Sequence, residues 1–200
     1  MAGGKATRMG GEEKAMLELA GKPMISYVLD TLIQSASIGR IFVAVSPNVQ
    51  RTAEYVKCHG EKKVSIIMTP GSGYIDDTAY AARALNLGEP FLVISADLPL
   101  VTPEVIDAVV SAYSDCGKEA LSVRIDARHA EGAQDLILTD TGSPTIPAGI
   151  NVIHGAHLDR AQDEHILILN DPALAVNVNY RKDLTSCAHL MAGMRRRTHH

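Results

Sequence analysis

Short apolar runs of strand type alternate with segments of helical periodicity along most of this 200-residue chain. Between the runs, apolar residues recur at intervals of three and four, which is the spacing of an amphipathic helix. Because parallel strands need crossover connections, this alternation predicts a Rossmann-like, doubly wound α/β domain with a mixed, mainly parallel sheet and helices on both faces. The predicted strands are Ile41–Val45, Val64–Met68, Phe91–Ser95, Leu121–Ile125, Ile150–Ile153, Ile166–Leu169 and Ala175–Val178.

Local signals set the helix boundaries. The apolar stripe from Ile25 to Ile33 predicts a helix directly after Pro23. Thr102 and Pro103 supply a capping hydroxyl and a proline at the first helical position, so a helix should run from there to about Asp115. Further helices are predicted at about 50–59, 74–87 and 181–194.

Two polar segments interrupt this pattern. Residues 126–147 are rich in Asp and Gly and hold one short apolar run at Leu136–Leu138, so we expect an excursion over the site. Residues 195–200 read Arg-Arg-Arg-Thr-His-His and are expected to form a disordered basic tail. The remaining residues, 1–194, are predicted to form one domain.

Composition excludes several classes of protein. A hydrophobic content of 46% with 21% charged residues is ordinary for one globular core of this size. The net charge of −4, without a basic stripe outside the tail, argues against a nucleic-acid partner. No run approaches the roughly 20 apolar residues of a membrane span and no signal peptide is recognisable, so we expect a cytoplasmic protein. Cys58, Cys116 and Cys187 contain no CxxC pair and indicate ordinary thiols.

The amino-terminal segment Met1–Lys14 combines two glycine pairs with placed cations. Glycines let backbone N–H groups approach phosphate oxygens, and Arg8 and Lys14 supply the positive charge that a polyphosphate needs. Neither GxxxxGK[ST] nor GxGxxG fits these residues, which argues against kinases, GTPases and dehydrogenases. A flexible glycine-rich terminus would explain the glycines but not the cations. The segment therefore indicates a nucleotide triphosphate loop and favours an enzyme.

A second signal is the apolar run Phe91–Leu100, which places Asp97 at the carboxyl end of a strand. Open α/β sheets bind their ligands at that edge. A carboxylate there can hold Mg²⁺, which prefers one or two carboxylates together with substrate phosphates and waters. A helix cap or a loop salt bridge is the alternative.

A third signal lies before the last predicted helix, in the segment Asn177–Asp183. Strand alternation points Asn177 and Asn179 to the same face. An Asn carbonyl can ligate Mg²⁺ alongside Asp97, and its amide can instead donate to a phosphate or a ribose. A plain helix N-cap explains the same residues without any ligand.

Two glycine-containing loops, Thr69–Asp77 and Pro147–Asn151, are further candidates for ligand binding. Backbone amides at Gly71–Tyr74 can read the edge of a base. Gly149 with Asn151 can accept a second substrate close to the α-phosphorus. Ordinary turns remain the alternative for both loops.

Taken together, these segments resemble the archaeal adenosylcobinamide-phosphate guanylyltransferases from residue 1 to about residue 190. The amino-terminal signature by itself is shared with molybdenum cofactor guanylyltransferases and sugar-phosphate nucleotidyltransferases. The departures are Ser72, where the family's loop can carry Lys, and Tyr180, where Thr is usual. The segments that carry the resemblance are Ala2–Gly4, Arg8–Gly10, Lys14, Gly21–Met24, Gly71–Ile75, Ser95–Asp97, Pro147–Val152 and Asn177–Asn179.

The resemblance implies a fold of the nucleotide-diphospho-sugar transferase type, a homodimer, and transfer of GMP from GTP to adenosylcobinamide phosphate with Mg²⁺. It implies catalytic roles for Arg8, Lys14 and Asp97, with Lys22 as a further candidate. Acceptor or phosphate binding falls to Gly149, Asn151, Asn177 and Asn179, and metal binding to Asp97 and Asn179. The implied nucleotide-binding residues are Ala2, Gly3, Gly4, Lys5, Thr7, Arg8, Lys14, Ser46, Pro47, Gly71, Gly73, Tyr74 and Asp97.

Two other functions stay open at this point. One is a guanylyl- or cytidylyltransferase that acts on molybdopterin or on a sugar phosphate. The other is a GTP-binding module without turnover, which the combination of Asp97 with Asn177 and Asn179 disfavours, because binding alone needs no placed metal. The preference for guanine rests on the resemblance alone.

The position of the glycine loop raises a question about the sheet. Such a loop should follow the carboxyl end of a central strand, but only Met1 and Ala2 precede Gly3. Loss of a middle strand would leave ladder groups of both neighbours unpaired, at a cost of about 1 kcal/mol or more per buried group. We therefore expect the natural chain to carry several more apolar residues before Met1.

Overall fold

The computed structural model describes residues 1–3, 12–129, 136–139, 142–176 and 181–197. Its strands are β1 Glu18–Leu19, β2 Lys22–Pro23, β3 Ile41–Val45, β4 Val64–Met68, β5 Pro90–Ile94, β6 Ala120–Asp126, β7 Ile137–Leu138, β8 Pro144–His154 and β9 Glu164–Leu169. Its α-helices are α1 Met24–Gln34, α2 Gln50–Cys58, α3 Tyr74–Ala84, α4 Pro103–Cys116 and α5 Arg181–Arg197.

The main strands form two separate sheets, a smaller and a larger part. β3 and β4 pair in parallel, from Ile41 opposite Val64 to Val45 opposite Met68. The larger part has the order β5-β8-β6-β9, with β7 added at the edge of β8. β8 runs antiparallel to β5 and β6, whereas β6 and β9 are parallel, so β5, β6 and β9 share one direction. The predicted mixed α/β sheet with its helices is confirmed.

The helix predictions agree with the structure at most boundaries. At the start of α4, the hydroxyl of Thr102 accepts a hydrogen bond from the amide of Val105. The helix ends at Gly117, whose φ of +64° is the left-handed conformation that glycine adopts at a helix end. α3 ends at Ala84 rather than near residue 87, because Asn86 takes up a positive φ of 51° that stops the helix.

Two predictions near the carboxyl end are wrong. The predicted strand Ala175–Val178 begins in a turn at residues 172–175, where the side chain of Asp171 accepts from the amide of Ala173. Asp before Pro favours such a turn over a strand. Residues 177–178 lie outside the described residues. The predicted disordered tail is wrong for residues 195–197, because α5 continues through Arg197, and residues 198–200 lie outside the described residues.

The apolar core joins the strands to the helices on them. Its buried members include Leu29 of α1, Val43 of β3, Ile106 of α4 and Ile150 of β8. A second, smaller cluster holds α5 against the short hairpin of β1 and β2 through Cys187, Met191 and Leu19, among others. Among the described residues, no helix combines the length and apolar character that crossing a bilayer demands.

Candidate active site

A cleft of about 560 Å³ opens beyond the carboxyl ends of β4 and β5. This is the edge at which open α/β sheets bind ligands. The cleft is bordered by the start of the glycine loop at Met1–Gly3, by the first turn of α3 and by the residues that follow β5. Its lining residues are Met1, Ala2, Gly3, Lys14, Ala15, Met24, Gly71, Ser72, Gly73, Tyr74, Asp77, Ser95, Ala96 and Asp97.

The cleft contains an ion pair between Lys14 and Asp97, which are 83 residues apart in sequence. Lys14 begins a short 3-10 turn, Lys14–Met16, and Asp97 lies just after β5. The Lys14 ammonium donates to Oδ2 of Asp97, and both side chains are only about a quarter exposed. Oδ1 of Asp97 is buried and accepts no hydrogen bond from the described residues. The carboxylate thus has one paired oxygen and one oxygen with unused acceptor capacity.

Ser46 lies between the glycine loop, at Gly3, and the loop that follows β4, at Gly71. Its hydroxyl donates to the carbonyl of Gly3 over 2.8 Å. A Cβ at Gly3 would lie 3.3 Å from the Ser46 amide, and one at Gly71 would lie 3.0 Å from the Ser46 Cβ. A side chain at either position would push Ser46 away by a few tenths of an ångström. At Gly71 the φ of +77° favours glycine in addition. Ser46 is buried and Pro47 exposed, and neither lines the cleft.

Asp77 organises the loop from Gly71 to Gly73. Asp77 is 4% exposed, and its Oδ1 accepts from the amides of Gly71 and Ser72, at 2.9 and 3.2 Å. These two amides are therefore occupied and do not face a base edge, which corrects the prediction for this part of the loop. The amides of Tyr74, Ile75 and Asp76, in the first turn of α3, have no acceptor within the helix, and Tyr74 among them lines the cleft.

Two candidate acceptor residues, Asn151 and Gly149, lie next to the cleft, in contact with Tyr74 and Ser95, which line it. Asn151 donates through Nδ2 to the Tyr74 hydroxyl over 3.0 Å. Gly149 has a φ of +77°, in a part of β8 where the register with β6 shifts. A Cβ at Gly149 would stand 3.2 Å from Oγ of Ser95, so the glycine allows β8 to lie close to the end of β5.

Several predicted site residues cannot be assigned a place in the cleft. Gly4, Lys5, Thr7, Arg8, Asn177 and Asn179 lie outside the described residues. Lys22 stands apart from the cleft lining and lies 3.7 Å from a carboxylate oxygen of Asp30. The structure therefore brings together Ala2, Gly3, Lys14, Gly71, Gly73, Tyr74 and Asp97 from the predicted set.

Glu13 fixes the chain immediately before Lys14. Its carboxylate accepts from the Arg51 amide at 2.8 Å, and from the amide and the hydroxyl of Thr52 at 2.6 and 2.7 Å. Burial alone would raise the pKa of Glu13, but the hydrogen bonds from Thr52 and Arg51 outweigh it and hold that pKa below 4.5. Glu13 thus caps α2 and positions Lys14. The sequence shows no local signal for this contact.

Glu13→Gln is expected to lower the unfolding temperature at pH 7 by a few degrees, because a charged cap contributes about 1–2 kcal/mol. Since the folded pKa lies below the unfolded value, this stabilisation is complete above pH 4.5 and is lost as pH falls through the folded pKa. Thermal unfolding from pH 7 to pH 3 should show the two proteins converging in acid. Glu54→Gln, at an exposed position on α2, is the control. A constant difference across this range would contradict the assignment.

The described residues of the cleft supply some of the ligands that a divalent cation needs. The buried and unpaired Oδ1 of Asp97 is an oxygen of the kind that Mg²⁺ prefers. Among the described residues, no three His, Cys, Asp or Glu side chains converge as a cage built entirely by protein would require. A cation at Asp97 would therefore take most of its remaining ligands from phosphates and water, as is usual for Mg²⁺ in nucleotide enzymes.

A glycine loop, a Lys–Asp pair and a helix start surround one cleft of a mixed α/β sheet, an arrangement suited to binding the phosphates of a nucleotide. Residues 1–196 match the MobA-like NTP transferase domain, and the chain belongs to that family. It is 36% identical over 193 residues to the adenosylcobinamide-phosphate guanylyltransferase of Methanocaldococcus jannaschii, covering 92% of this chain and 91% of that protein.

More distant relatives share the fold or part of the sequence. A probable molybdenum cofactor guanylyltransferase of Thermococcus kodakarensis is 31% identical over 122 residues, which cover 60% of this chain and 55% of that protein. CMP-2-keto-3-deoxy-manno-octonic acid synthetase complexed with CTP superposes with a TM-score of 0.69 at 15% identity, covering 91% of this chain and 92% of its own. 4-Diphosphocytidyl-2C-methyl-D-erythritol synthase of Anaerococcus prevotii superposes with a TM-score of 0.70 at 11% identity, and the superposition covers 96% of this chain and 93% of that chain. These two structures show that the chain shares their fold.

Proposed function

We propose that this protein transfers GMP from GTP to adenosylcobinamide phosphate, forming adenosylcobinamide-GDP and pyrophosphate. The observation that carries the proposal is the 36% identity, over nearly the full length of both chains, to a guanylyltransferase with this acceptor in its name. The cleft supports it, because glycine-loop residues, Lys14 and Asp97 lie together at one edge of the sheet. A homodimer is proposed as well, on the resemblance alone.

The transfer needs little acid–base chemistry from the protein. An oxygen of the acceptor phosphate forms a bond to the α-phosphorus of GTP, while the bond from that phosphorus to the bridging oxygen of the β-phosphate breaks. A phosphate monoester is largely dianionic at neutral pH, since its second pKa is about 6, so it can attack without a general base. Charge and position are what the site must provide.

The described residues of the cleft supply both. Lys14 places a positive charge where the triphosphate and the departing pyrophosphate need one, and Glu13 holds the backbone that carries it. Gly3 brings the loop backbone close to the ligand because Ser46 fixes its carbonyl. Tyr74 and Asn151, joined by their hydrogen bond, border the side from which we propose the acceptor enters.

Asp97 is proposed to hold Mg²⁺ through Oδ1, with Asn179 as a further candidate ligand outside the described residues. When bound, such a cation neutralises charge on the triphosphate and orients its phosphates. Lys14, already paired with Oδ2, would hold the other oxygen of the carboxylate in a fixed orientation.

The test is an acceptor screen. The purified protein with Mg²⁺ is given each of the four nucleoside triphosphates, alone and with adenosylcobinamide phosphate, and pyrophosphate release and product mass are measured. We expect release with GTP plus the corrinoid phosphate, and loss of release when EDTA removes the cation. The partial matches to molybdenum cofactor guanylyltransferases make molybdopterin the second acceptor to test. Product with molybdopterin alone would replace the proposed acceptor, and GTP binding without any transfer would contradict catalysis.

A further inference from the structure

Asp77 brings a second carboxylate to the cleft. It lies in the first turn of α3, is 4% exposed and forms part of the cleft lining. The amides of Gly71 and Ser72 both donate to its Oδ1. No donor in the described parts of the chain pairs with its Oδ2. Asp77 therefore keeps one acceptor atom for a ligand, while the two amides hold the carboxylate in a fixed orientation.

The surroundings of Asp77 differ from those of Asp97. Asp97 forms an ion pair with Lys14, whereas Asp77 has no cationic partner among the residues that the structure describes. Peptide dipoles balance its charge, from the two loop amides and from the start of α3. A triphosphate placed against this carboxylate would be repelled. The phosphates thus belong near Lys14, and an uncharged part of the nucleotide belongs near Asp77.

The start of the glycine loop links these two parts of the cleft. The Gly3 carbonyl accepts from the Ser46 hydroxyl at 2.8 Å, and a Cβ on Gly71 would lie 3.0 Å from the Cβ of Ser46. Gly71 in turn donates its amide to Asp77. A nucleotide whose phosphates lie beside Lys14 and the glycine loop can therefore extend its base towards Asp77.

Discrimination between bases depends on groups that only accept or only donate hydrogen bonds. The hydroxyls in the lining, those of Ser72, Tyr74 and Ser95, can do both and adapt to any base. An ionised carboxylate only accepts. Since Asp97 is proposed to hold the cation, Asp77 is the carboxylate of the described lining that remains available to a base.

We infer that Asp77 selects guanine, with Oδ2 accepting hydrogen bonds from N1–H and from the 2-amino group of the base. The inference rests on the proposed function, in which GTP is the donor. Guanine presents two adjacent donors on this edge. Adenine and cytosine each present an acceptor nitrogen beside an amino group, and uracil presents one N–H between two carbonyls. An acceptor turned towards Asp77 would leave two buried acceptors facing each other without a donor.

The first test uses the unchanged protein and nucleotides that differ from GTP in one group. Affinities are measured by isothermal titration calorimetry with Mg²⁺ and without any acceptor. ITP lacks the 2-amino group, XTP carries a carbonyl oxygen in its place, and dGTP lacks the ribose 2′-hydroxyl. We expect ITP to bind about tenfold more weakly than GTP and XTP about a hundredfold more weakly, with dGTP within about twofold.

The second test replaces Asp77 by asparagine. The asparagine oxygen can still accept from the Gly71 and Ser72 amides, and its amino group then puts a donor in the place of Oδ2. Asp77→Asn should weaken GTP about tenfold or more and strengthen XTP, so the preference for GTP over XTP should fall about a hundredfold or more. Asp76→Asn removes the same charge from an exposed position in the same turn and should leave that preference unchanged.

Three results would overturn the inference. Equal affinities of the unchanged protein for GTP, ITP and XTP would show that this edge of the base is not read. Equal weakening of all the nucleotides by Asp77→Asn would limit Asp77 to support of the loop. Weak binding of dGTP, with the three bases alike, would assign the carboxylate to the ribose. Because no acceptor is present, selection of guanine can be found even if transfer fails, and transfer from GTP with an unaltered GTP-to-XTP preference in Asp77→Asn would contradict this inference alone.

Discussion

Replacing Asp97 by asparagine is expected to lower turnover about a hundredfold or more, which corresponds to about 2.7 kcal/mol of transition-state stabilisation. Asparagine keeps the size of the side chain but removes the charge that pairs with Lys14 and that would hold the cation through the buried Oδ1. The loss should appear in kcat for the transfer of GMP, measured by pyrophosphate release at saturating GTP and Mg²⁺.

Binding in the absence of a divalent cation should respond differently. The Asp97 carboxylate repels a triphosphate when no cation lies between them, so Asp97→Asn should bind GTP in EDTA at least as tightly as the unchanged protein. Equilibrium binding of a fluorescent GTP analogue measures this. A residue that merely supported the fold would weaken binding under both conditions.

The structure offers a matched control in a second Lys–Asp pair. Lys118 and Asp163 lie 2.6 Å apart at the amino ends of β6 and β9, on the sheet edge opposite the cleft. Asp163→Asn removes a Lys–Asp ion pair that is more exposed than the one in the cleft, and it should leave turnover unchanged. Equal rates for Asp97→Asn and the unchanged protein would remove Asp97 from the mechanism.

The sequence predicted the elements of the sheet because each depends on local residues. The strand at Ile41–Val45 is a continuous apolar run, and α4 begins at a Thr–Pro pair that caps the helix in the structure as well. Asp97 could be placed at a strand end for the same reason, since a residue only a few positions beyond a strand in sequence must also lie near the end of that strand in space.

Contacts between distant segments could not be predicted in the same way. Glu13 reaches Thr52 across 39 residues, and no local pattern distinguishes it from Glu12. The insertion of β8 between β5 and β6 depends on the register of three strands, which hydrophobicity alone does not specify.

Two predictions from local composition differ from the structure in the residues that it describes. The polar composition of residues 126–147 suggested an excursion over the site, but none of its described residues lines the cleft. Its last part instead begins β8 at Pro144, where β7 pairs with it through Ile137 opposite Thr145. At Gly71 and Ser72 the glycine-rich loop suggested free amides, yet a buried carboxylate six residues after Gly71 accepts both of them.

Lys14→Met is expected to lower kcat/KM for GTP by about a hundredfold or more, with the larger part of the loss in kcat. Methionine retains the length and much of the apolar stem of lysine but carries no charge. The charge matters most when pyrophosphate departs, because negative charge then accumulates on the leaving group. An interaction made more strongly in the transition state than with bound substrate changes kcat rather than KM.

Two variants test whether position or charge is the requirement. Lys14→Arg keeps the charge but spreads it over a planar group, so it should recover only part of the lost rate. Lys118→Met, which removes a lysine paired with Asp163 at the opposite edge of the sheet, should keep full activity.

A double variant, Lys14→Met with Asp97→Asn, should be scarcely slower than the worse single variant, since both side chains act as one unit. Losses that multiply would show two independent roles, and a rise in KM alone would limit Lys14 to substrate binding.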